Sequence, residues 1–514
     1  QTLAQRIATA IANHPTPKSE VAIAVVDGND GDRLYANSNA GRAMLPASNM
    51  KLVTSATTLD IYGADAVLPT VLATSGASGG EDLVVVGLGD PAFGDAALLA
   101  RDGREPMDVF DDWADALRDA GVTAVAGDVV VVDAVFDDAF VHPTWSPRNR
   151  LAWYGAPIAG VNFNTNCVDF YFEPTTPGRS AEVRTVPPEG GFVWTGTVAS
   201  RGKDEEHGPV LGKRAEPTEA GWAQYVVRGG VRNAAGPFSK PVDNPRVFFG
   251  ETLRAALVAR GIAVHGEVRI NPEGTAAIAA NLRQVARHET PLLDVMGRVN
   301  TDSQNMMAEG LAKLNGLAYE RAVGTADSGG DSGGARGSWG GGHLAAVSFL
   351  RQAGIDTATI VCADGSGLSR ENRVSAASLA DLLGHMLRDH EHGEHYVASL
   401  AAAGRTGSLR RRLKELEGRV WAKTGTINGV SALSGYVFSP DGRGPVAAFS
   451  VLHNGQGSAS AARRQQDAVV RAVADWLDAQ PAPAPGKVDP EVEAVIDHLN
   501  GLEVSAGSTP EAGR

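Results

Sequence analysis

The sequence predicts a multi-domain protein of the α/β class, and three observations carry that reading. The chain has 514 residues, more than one hydrophobic core usually serves, and ordinary domain sizes divide it into roughly three parts. Helical and strand periodicities alternate towards both ends. Between them the texture shifts to short strands and turns. Hydrophobic residues make up 43% and charged residues 21%, the proportions of a folded globular protein. The formal charge of −14, with no basic run to offset it, argues against a nucleic-acid or anionic-membrane partner. No apolar stretch approaches the ~20 residues that a membrane-spanning helix needs, so no transmembrane segment is expected. The chain begins Gln1-Thr2-Leu3 rather than with methionine, which fits a signal peptide already removed. Two cysteines, Cys167 and Cys362, are too few for a disulfide framework, and whether they pair is open.

From the start of the chain, Leu3, Ile7 and Ile11 recur at helical spacing and predict an amphipathic helix. Strands at 21–27 and 33–36 follow, with a turn at 28–31 between them. Leu52, Ala56 and Leu59 mark the next helix, with Pro46 just before its start and Gly63 placed to stop it. From about 67 to 161 the chain reads as a separate α/β unit, with strands at 83–86 and 128–132 and a helix at 109–120. Residues 162–242 hold strands at 167–172, 192–197 and 225–227 and little helix. A helix at 245–260 and a strand at 267–270 come next. The helix 291–299 leads through Thr301-Asp302-Ser303-Gln304-Asn305 into another with Met307, Leu311 and Leu314 on one face.

Residues 324–342 form a Gly/Ser/Asp-rich insertion. It lacks the Gly-Lys-Ser/Thr ending of a phosphate-binding loop and reads as a flexible surface loop. Strands at 419–425, 431–439 and 445–454, the last two joined by an Asp441-Gly442 turn, precede a closing helix at 458–477. A Pro/Ala linker at 481–486 follows, then a short helix at 490–500 with Val492, Val495, Ile496 and Leu499 on one side. The final dozen residues read as disordered.

Three separated motifs carry the chemistry: Ser48-x-x-Lys51, Ser303-Gln304-Asn305 and Lys423-Thr424-Gly425-Thr426. Spacing of three on a helix puts two side chains on one face, so Lys51 can take the Ser48 proton. Ser48 falls in the first turn, where unpaired N–H groups favour developing negative charge. Alone, Ser48 and Ser303 each read as a helix cap and Asn305 as a solvated polar residue; their agreement in order along the chain favours catalysis. Lys51 abstracts a proton only when neutral, and a second ammonium at Lys423 lowers its pKa in the required direction. Ser303 relays a proton from a lysine to a leaving amine. Asn305 offers an amide donor and acceptor to a substrate backbone. Gly425 admits the substrate to the strand edge, and the Thr424 and Thr426 hydroxyls with Lys423 suit a terminal carboxylate. The backbone N–H groups of Ser48 and Thr426 are the candidate oxyanion hole. None of these roles calls for a cofactor or a metal.

The trio is the signature set of penicillin-binding proteins and class A β-lactamases. The likeness extends to Leu45-Pro46-Ala47-Ser48-Asn49-Met50-Lys51, Gly87-Leu88-Gly89-Asp90-Pro91, Asp364-Gly365-Ser366-Gly367-Leu368-Ser369-Arg370 and Ala422-Lys423-Thr424-Gly425-Thr426. Over about residues 1–478 the sequence resembles the D-alanyl-D-alanine carboxypeptidase/endopeptidase family of low-molecular-mass, class C penicillin-binding proteins.

The resemblance implies a penicillin-binding-protein/β-lactamase-like transpeptidase domain with nested insertions. Residues 1–66 and 285–478 would form that domain, 67–161 and 243–284 an inserted α/β domain, 162–242 a β-rich domain nested within it, and 479–514 a linker and tail. It implies a serine DD-peptidase outside the cytoplasm, periplasmic or secreted. Its substrates would be peptidoglycan stem peptides, processed through an acyl-enzyme on Ser48, with β-lactam antibiotics as covalent inhibitors. Arg370 is implied to lie near the pocket for the substrate side chain, or simply to brace its loop. The oligomeric state is not implied. One departure stands out: before Tyr154-Gly155-Ala156-Pro157, where some relatives carry acidic residues for a free amine, this chain has Trp145-Ser146-Pro147-Arg148-Asn149-Arg150, and basic residues repel an amine.

Two rival readings share the machinery. A serine β-lactamase needs a dedicated deacylation base, and no glutamate-bearing motif stands out; the long insertions between Ser48 and Ser303 also favour a peptidase. A non-catalytic cell-wall-binding scaffold is opposed by the intact Ser48, Lys51, Ser303, Asn305 and Lys423. His385, His390, His392 and His395 invite a metal, but the residue four after His390 is Glu394, so zincin spacing fails and a solvated connection is expected. Trp339 either covers a substrate or pins its insertion to the body. The 490–500 helix docks either on this chain or on a partner.

Overall fold

Apolar strands from opposite ends of the chain find each other in one sheet. The structure, a computed structural model, describes residues 1–75, 81–271, 282–328, 334–440, 445–481, 490, 492–495 and 498–499. Its central sheet runs, in spatial order, Ala401–Ala402, Val420–Ile427, Val430–Phe438, Val446–Asn454, Glu20–Asp27 and Arg33–Ala36, antiparallel throughout. The inner strands are buried along almost their whole length because both faces are covered. On one face the helices Leu3–Asn13 and Ala459–Leu477 pack Ile7, Val469 and Val473 against Ile23 and Val451. On the other lie Ala376–Leu387 and Met50–Tyr62, within the largest core cluster.

Leu52, Ala56 and Leu59 suggest a helix with one apolar face, yet every residue from Met50 to Leu59 is buried. The polar side chains survive this because they bond to their own helix. Ser55 Oγ donates to Lys51 O at 2.7 Å, Thr57 to Val53 O at 2.8 Å and Thr58 to Thr54 O at 2.8 Å. Serines and threonines therefore fill positions that the apolar pattern does not mark.

A second sheet is ordered Val268–Asn271, Val129–Val132, Leu83–Gly87, Val67–Thr74 and Arg283–Pro291. It packs on Asp108–Asp119 and Pro245–Ala259 through Phe93, Phe110, Trp113 and Phe249. Its edge strand Arg283–Pro291 is absent from the sequence reading, since an exposed strand rich in Arg, Gln and Glu lacks the apolar run that marks a buried one. Between residues 167 and 241, Cys167–Glu173 pairs with Glu182–Val186 and Ala235–Pro241, while Ala223–Val231 pairs with Gly208–Lys213 and Phe192–Gly196.

The two described ends of the glycine-rich insertion are helical rather than a loop, and residues 329–333 lie outside the described residues. The helix Asn305–Ser328 continues into it, and Trp339–Gln352 starts before its end. Its glycines allow close packing of the two helices: a Cβ on Gly342 would lie 2.5 Å from Ala312 O, and one on Gly341 3.0 Å from Gly316 Cα. The Asp441-Gly442 turn, most of the 481–486 linker, Ile496 and the final residues lie outside the described residues. Cys167 and Cys362 are both buried free thiols. Among the described residues no helix is long and apolar enough to cross a membrane, and no cluster around the 385–395 histidines could hold a metal.

The described residues between 490 and 499 dock on this chain. Val492, Val495 and Leu499 are buried in the main core cluster. His498 faces Glu394 at 3.5 Å and stacks edge-on against His395. Burying three such side chains stabilises by several kcal/mol before the entropy of ordering the segment is subtracted. Truncation after Pro481 is accordingly expected to lower unfolding stability by about 2 kcal/mol or more, read as a lower melting midpoint; an unchanged midpoint would contradict this docking.

Candidate active site

Ser48 sits on a single 3-10 turn, Ala47–Asn49, which runs directly into Met50–Tyr62. Residues three apart across this junction share one face. Lys51 Nζ lies 3.1 Å from Ser48 Oγ. It also donates to Asn305 Oδ1 at 2.7 Å and to Ser366 O at 2.9 Å, so each of its three hydrogens meets a neutral acceptor. The side chain is wholly buried. Burial pushes its pKa down to about 7, while the carboxylates of Glu309 and Asp364 pull the other way.

Lys423 faces this group from the Val420–Ile427 strand, donating to Ser303 Oγ at 2.8 Å and to Thr424 O at 3.0 Å. Its pKa falls well below the usual lysine range, first through burial and then through the nearby Lys51 charge. Burial is thus the first cause at both lysines, and the repulsion between the two ammonium groups adds to it. Ser303 is held with φ of 64°, a left-handed conformation rare outside glycine and costly unless its surroundings impose it. Asn305 opens the next helix, and its amide nitrogen donates to Tyr154 O at 2.8 Å. An amide nitrogen carries two hydrogens, so one is left for a ligand.

The Val420–Ile427 strand lies close against the Ser48 turn. A Cβ on Gly425 would come within 2.9 Å of Pro46 O and 3.0 Å of Ser48 N. Asn49 Nδ2 ties the turn to Ser434 Oγ on the neighbouring strand at 2.6 Å. Ala401–Ala402 pairs only with Trp421 and Ala422, so among the described strands none pairs with the outer edge from Lys423 to Thr426. Thr424 Oγ1 donates to Ser408 Oγ at 2.7 Å, and Thr426 is exposed. Arg370 stands at the rim: it is exposed and donates to Asn428 O at 2.8 Å, tying its loop to the turn just past Thr426.

Two buried carboxylates lie beneath the site: Asp364 opens the 364–370 motif without a role read from it, and Glu309 lies outside every motif. Asp364 accepts from Gly367 N–H, Ser369 N–H and Asn372 Nδ2, and from Trp145 Nε1 at 2.8 Å. Trp145 is thus structural, while Arg148 and Arg150 of the same stretch are exposed. Glu309 accepts from Gly365 N–H, Ser366 N–H and Trp339 Nε1. Trp339 therefore pins its helix to the body. A signal for Glu309 was present: Asn305, Glu309 and Lys313 recur every fourth residue, a buried polar stripe on one helix face.

The model of the D-Ala-D-Ala carboxypeptidase 3 (S13) family matches residues 3–476. A D-alanyl-D-alanine carboxypeptidase of Actinomadura sp. (strain R39) is 32% identical over 492 residues, covering 92% of this chain and 84% of that one. The D-alanyl-D-alanine carboxypeptidase DacB of Haemophilus influenzae is 26% identical over 350 residues, covering 66% and 67%. The crystal structure of penicillin binding protein 4 (dacB) from Haemophilus influenzae superposes with a TM-score of 0.68 at 21% identity, covering 96% of this chain and 99% of that one, and so shares the fold.

Gly367 is the tightest contact behind Ser48. Its φ is 86°, and a Cβ there would lie 1.8 Å from Ala47 O. Gly367→Ala is expected to cost more than the ~1–2 kcal/mol of a left-handed residue alone, measured by denaturant unfolding; a loss below about 1 kcal/mol would contradict this packing.

Proposed function

The chain belongs to the D-Ala-D-Ala carboxypeptidase 3 (S13) family, and from that premise we propose how its residues carry out the reaction. The protein is a serine D-Ala-D-Ala carboxypeptidase of the penicillin-binding type. Ser48 Oγ attacks the carbonyl carbon of the penultimate D-alanine while neutral Lys51 takes the hydroxyl proton. The oxyanion that forms is held by the N–H groups of Ser48 and Thr426. Ser303 passes a proton from Lys423 to the amide nitrogen, the C–N bond breaks, and D-alanine leaves an ester on Ser48. Water, or a second amine, attacks that ester and gives up a proton that returns through Ser303 to Lys423; the ester C–O bond breaks and Lys51 hands its proton back to Ser48 Oγ.

The substrate peptide adds as a strand along the outer edge from Lys423 to Thr426. Its terminal carboxylate meets Lys423 and the Thr424 and Thr426 hydroxyls, Gly425 admits its backbone, and the second amide hydrogen of Asn305 bonds to it. Arg370 borders the side-chain pocket. Penicillin presents the same kind of carbonyl and acylates Ser48. The reading rests on two buried lysines, each bonded to a serine: Lys51 to Ser48 at 3.1 Å and Lys423 to Ser303 at 2.8 Å. The family match weighs against a β-lactamase, and both intact pairs weigh against a scaffold.

Three further parts belong to this proposal. The peptidase domain is 1–66 with 285–478, the inserted domain 67–161 with 243–284, the nested domain 162–242, and the linker and tail 479–514; the separate central, second and β-rich sheets support this division except at 284/285, where the strand Arg283–Pro291 belongs to the second sheet and carries the inserted domain to residue 291. The enzyme works outside the cytoplasm, where peptidoglycan is found. Its substrates are stem peptides, including cross-linked ones.

Release of D-alanine from a peptide ending in D-Ala-D-Ala is the direct test. Ser48→Ala is expected to reduce turnover by about a thousandfold or more; activity within tenfold of the unaltered enzyme would remove Ser48 from its role. Because Lys51 acts only when neutral and its pKa is about 7, acylation by penicillin should rise with pH through that value and level off above it. A rate that falls between pH 6 and 8 would contradict Lys51 as the base.

A further inference from the structure

Lys51 is aimed at Ser48 by a carbonyl that is itself held from below. Its third hydrogen goes to Ser366 O at 2.9 Å. The Gly365 and Ser366 N–H groups donate into Glu309 at 2.9 and 3.0 Å, and Trp339 Nε1 donates to the same carboxylate at 2.7 Å. Glu309 is fully buried and makes these bonds from within the helix that Asn305 begins. Asn305, one turn earlier, holds Lys51 from the same face. A single helix thus grips the base directly through an amide and indirectly through a carboxylate and the turn above it.

We propose that Glu309 is a positioning residue for the catalytic base: it fixes the Gly365–Ser366 turn that aims Lys51 at Ser48, and its negative charge holds the Lys51 proton. The inference rests on the assignment of Lys51 as the base. Three N–H donors fit an ionised carboxylate. Burial and the neighbouring Asp364 charge act against that ionisation, and the hydrogen bonds from Ser366, Gly365 and Trp339 act for it. Other charged groups face the pair from every side. Asp364 lies on the turn, Lys423 on the strand and Asp302 before the helix. Lys313, one turn beyond Glu309, is paired with Asp137 at 2.5 Å, and His142 faces Asp364.

The sign follows from electrostatics. Removing the anion withdraws support from the Lys51 ammonium, so the lysine loses its proton at lower pH. The loosened turn aims the base less well.

The test is the pH profile of the second-order rate constant for acylation by a fluorescent penicillin, with the adduct located by peptide mapping. Glu309→Gln is expected to move the midpoint down by about one pH unit and to lower the plateau about tenfold. Glu309→Asp keeps the charge but shortens the reach, so its plateau falls while its midpoint stays nearer that of the unaltered protein. If Glu309→Gln does not fold, Trp339→Phe serves instead. It removes one donor, favours the neutral carboxyl and moves the midpoint the same way by less.

A merely structural Glu309 would lower stability and amplitude and leave the midpoint in place, and an unmoved midpoint overturns the inference. No adduct on Ser48 in the unaltered protein at any pH would overturn the proposed mechanism, and this inference with it. An adduct whose midpoint ignores Glu309 overturns the inference alone.

Discussion

The withdrawal of one lysine ammonium from water governs the rest of the site. An exposed Lys51 would stay charged at neutral pH and could not take a proton from serine. Wholly buried, with three neutral hydrogen-bond acceptors and no carboxylate in direct contact, its charged form is satisfied but no longer strongly favoured. The two carboxylates that support it lie beyond the acceptors and reach it by field rather than by contact. The site therefore holds a lysine near the point of neutrality without breaking its geometry.

That burial demands elements from across the sequence. The Ser48 turn and the Met50–Tyr62 helix come from the first part of the chain, Asn305 and Glu309 from a helix more than two hundred residues on, the 364–370 turn from beyond the insertion, and Lys423 from a strand near the end. They fit because glycines stand at the closest approaches: Gly367 behind Ala47, and Gly425 against Ser48 N. The stretch around residues 145–154 contributes as well. Tyr154 O accepts from Asn305, and Trp145 donates to Asp364, so this stretch steadies the residues beside the base.

Much of this was legible in the sequence, and the misses have physical causes. The Ser48, Ser303 and Lys423 motifs are short and local, and the elements that carry them were marked by apolar periodicity. Buried polar support is harder to see. Glu309 looks like an ordinary acidic residue, and Asp364 like no more than the first residue of its motif, until the chain folds, because tertiary packing supplies their N–H donors. The 324–342 stretch read as a loop because glycine usually breaks helices; the close helix packing at Gly341 and Gly342 reverses that inference. The Arg283–Pro291 strand was invisible because its charged side chains hide the period of an edge strand. The effect of Lys423 on Lys51 was assigned from charge alone, whereas depth below the surface contributes more.

The proposed chemistry depends on the charge of Lys51. Its side-chain nitrogen can be titrated directly by heteronuclear NMR in lysine-labelled protein, with the resonance assigned by a Lys51→Met control. The account predicts a transition near 7, set chiefly by burial. A transition in the ordinary lysine range, near 10.4, would leave Lys51 charged at neutral pH and contradict its role as the base.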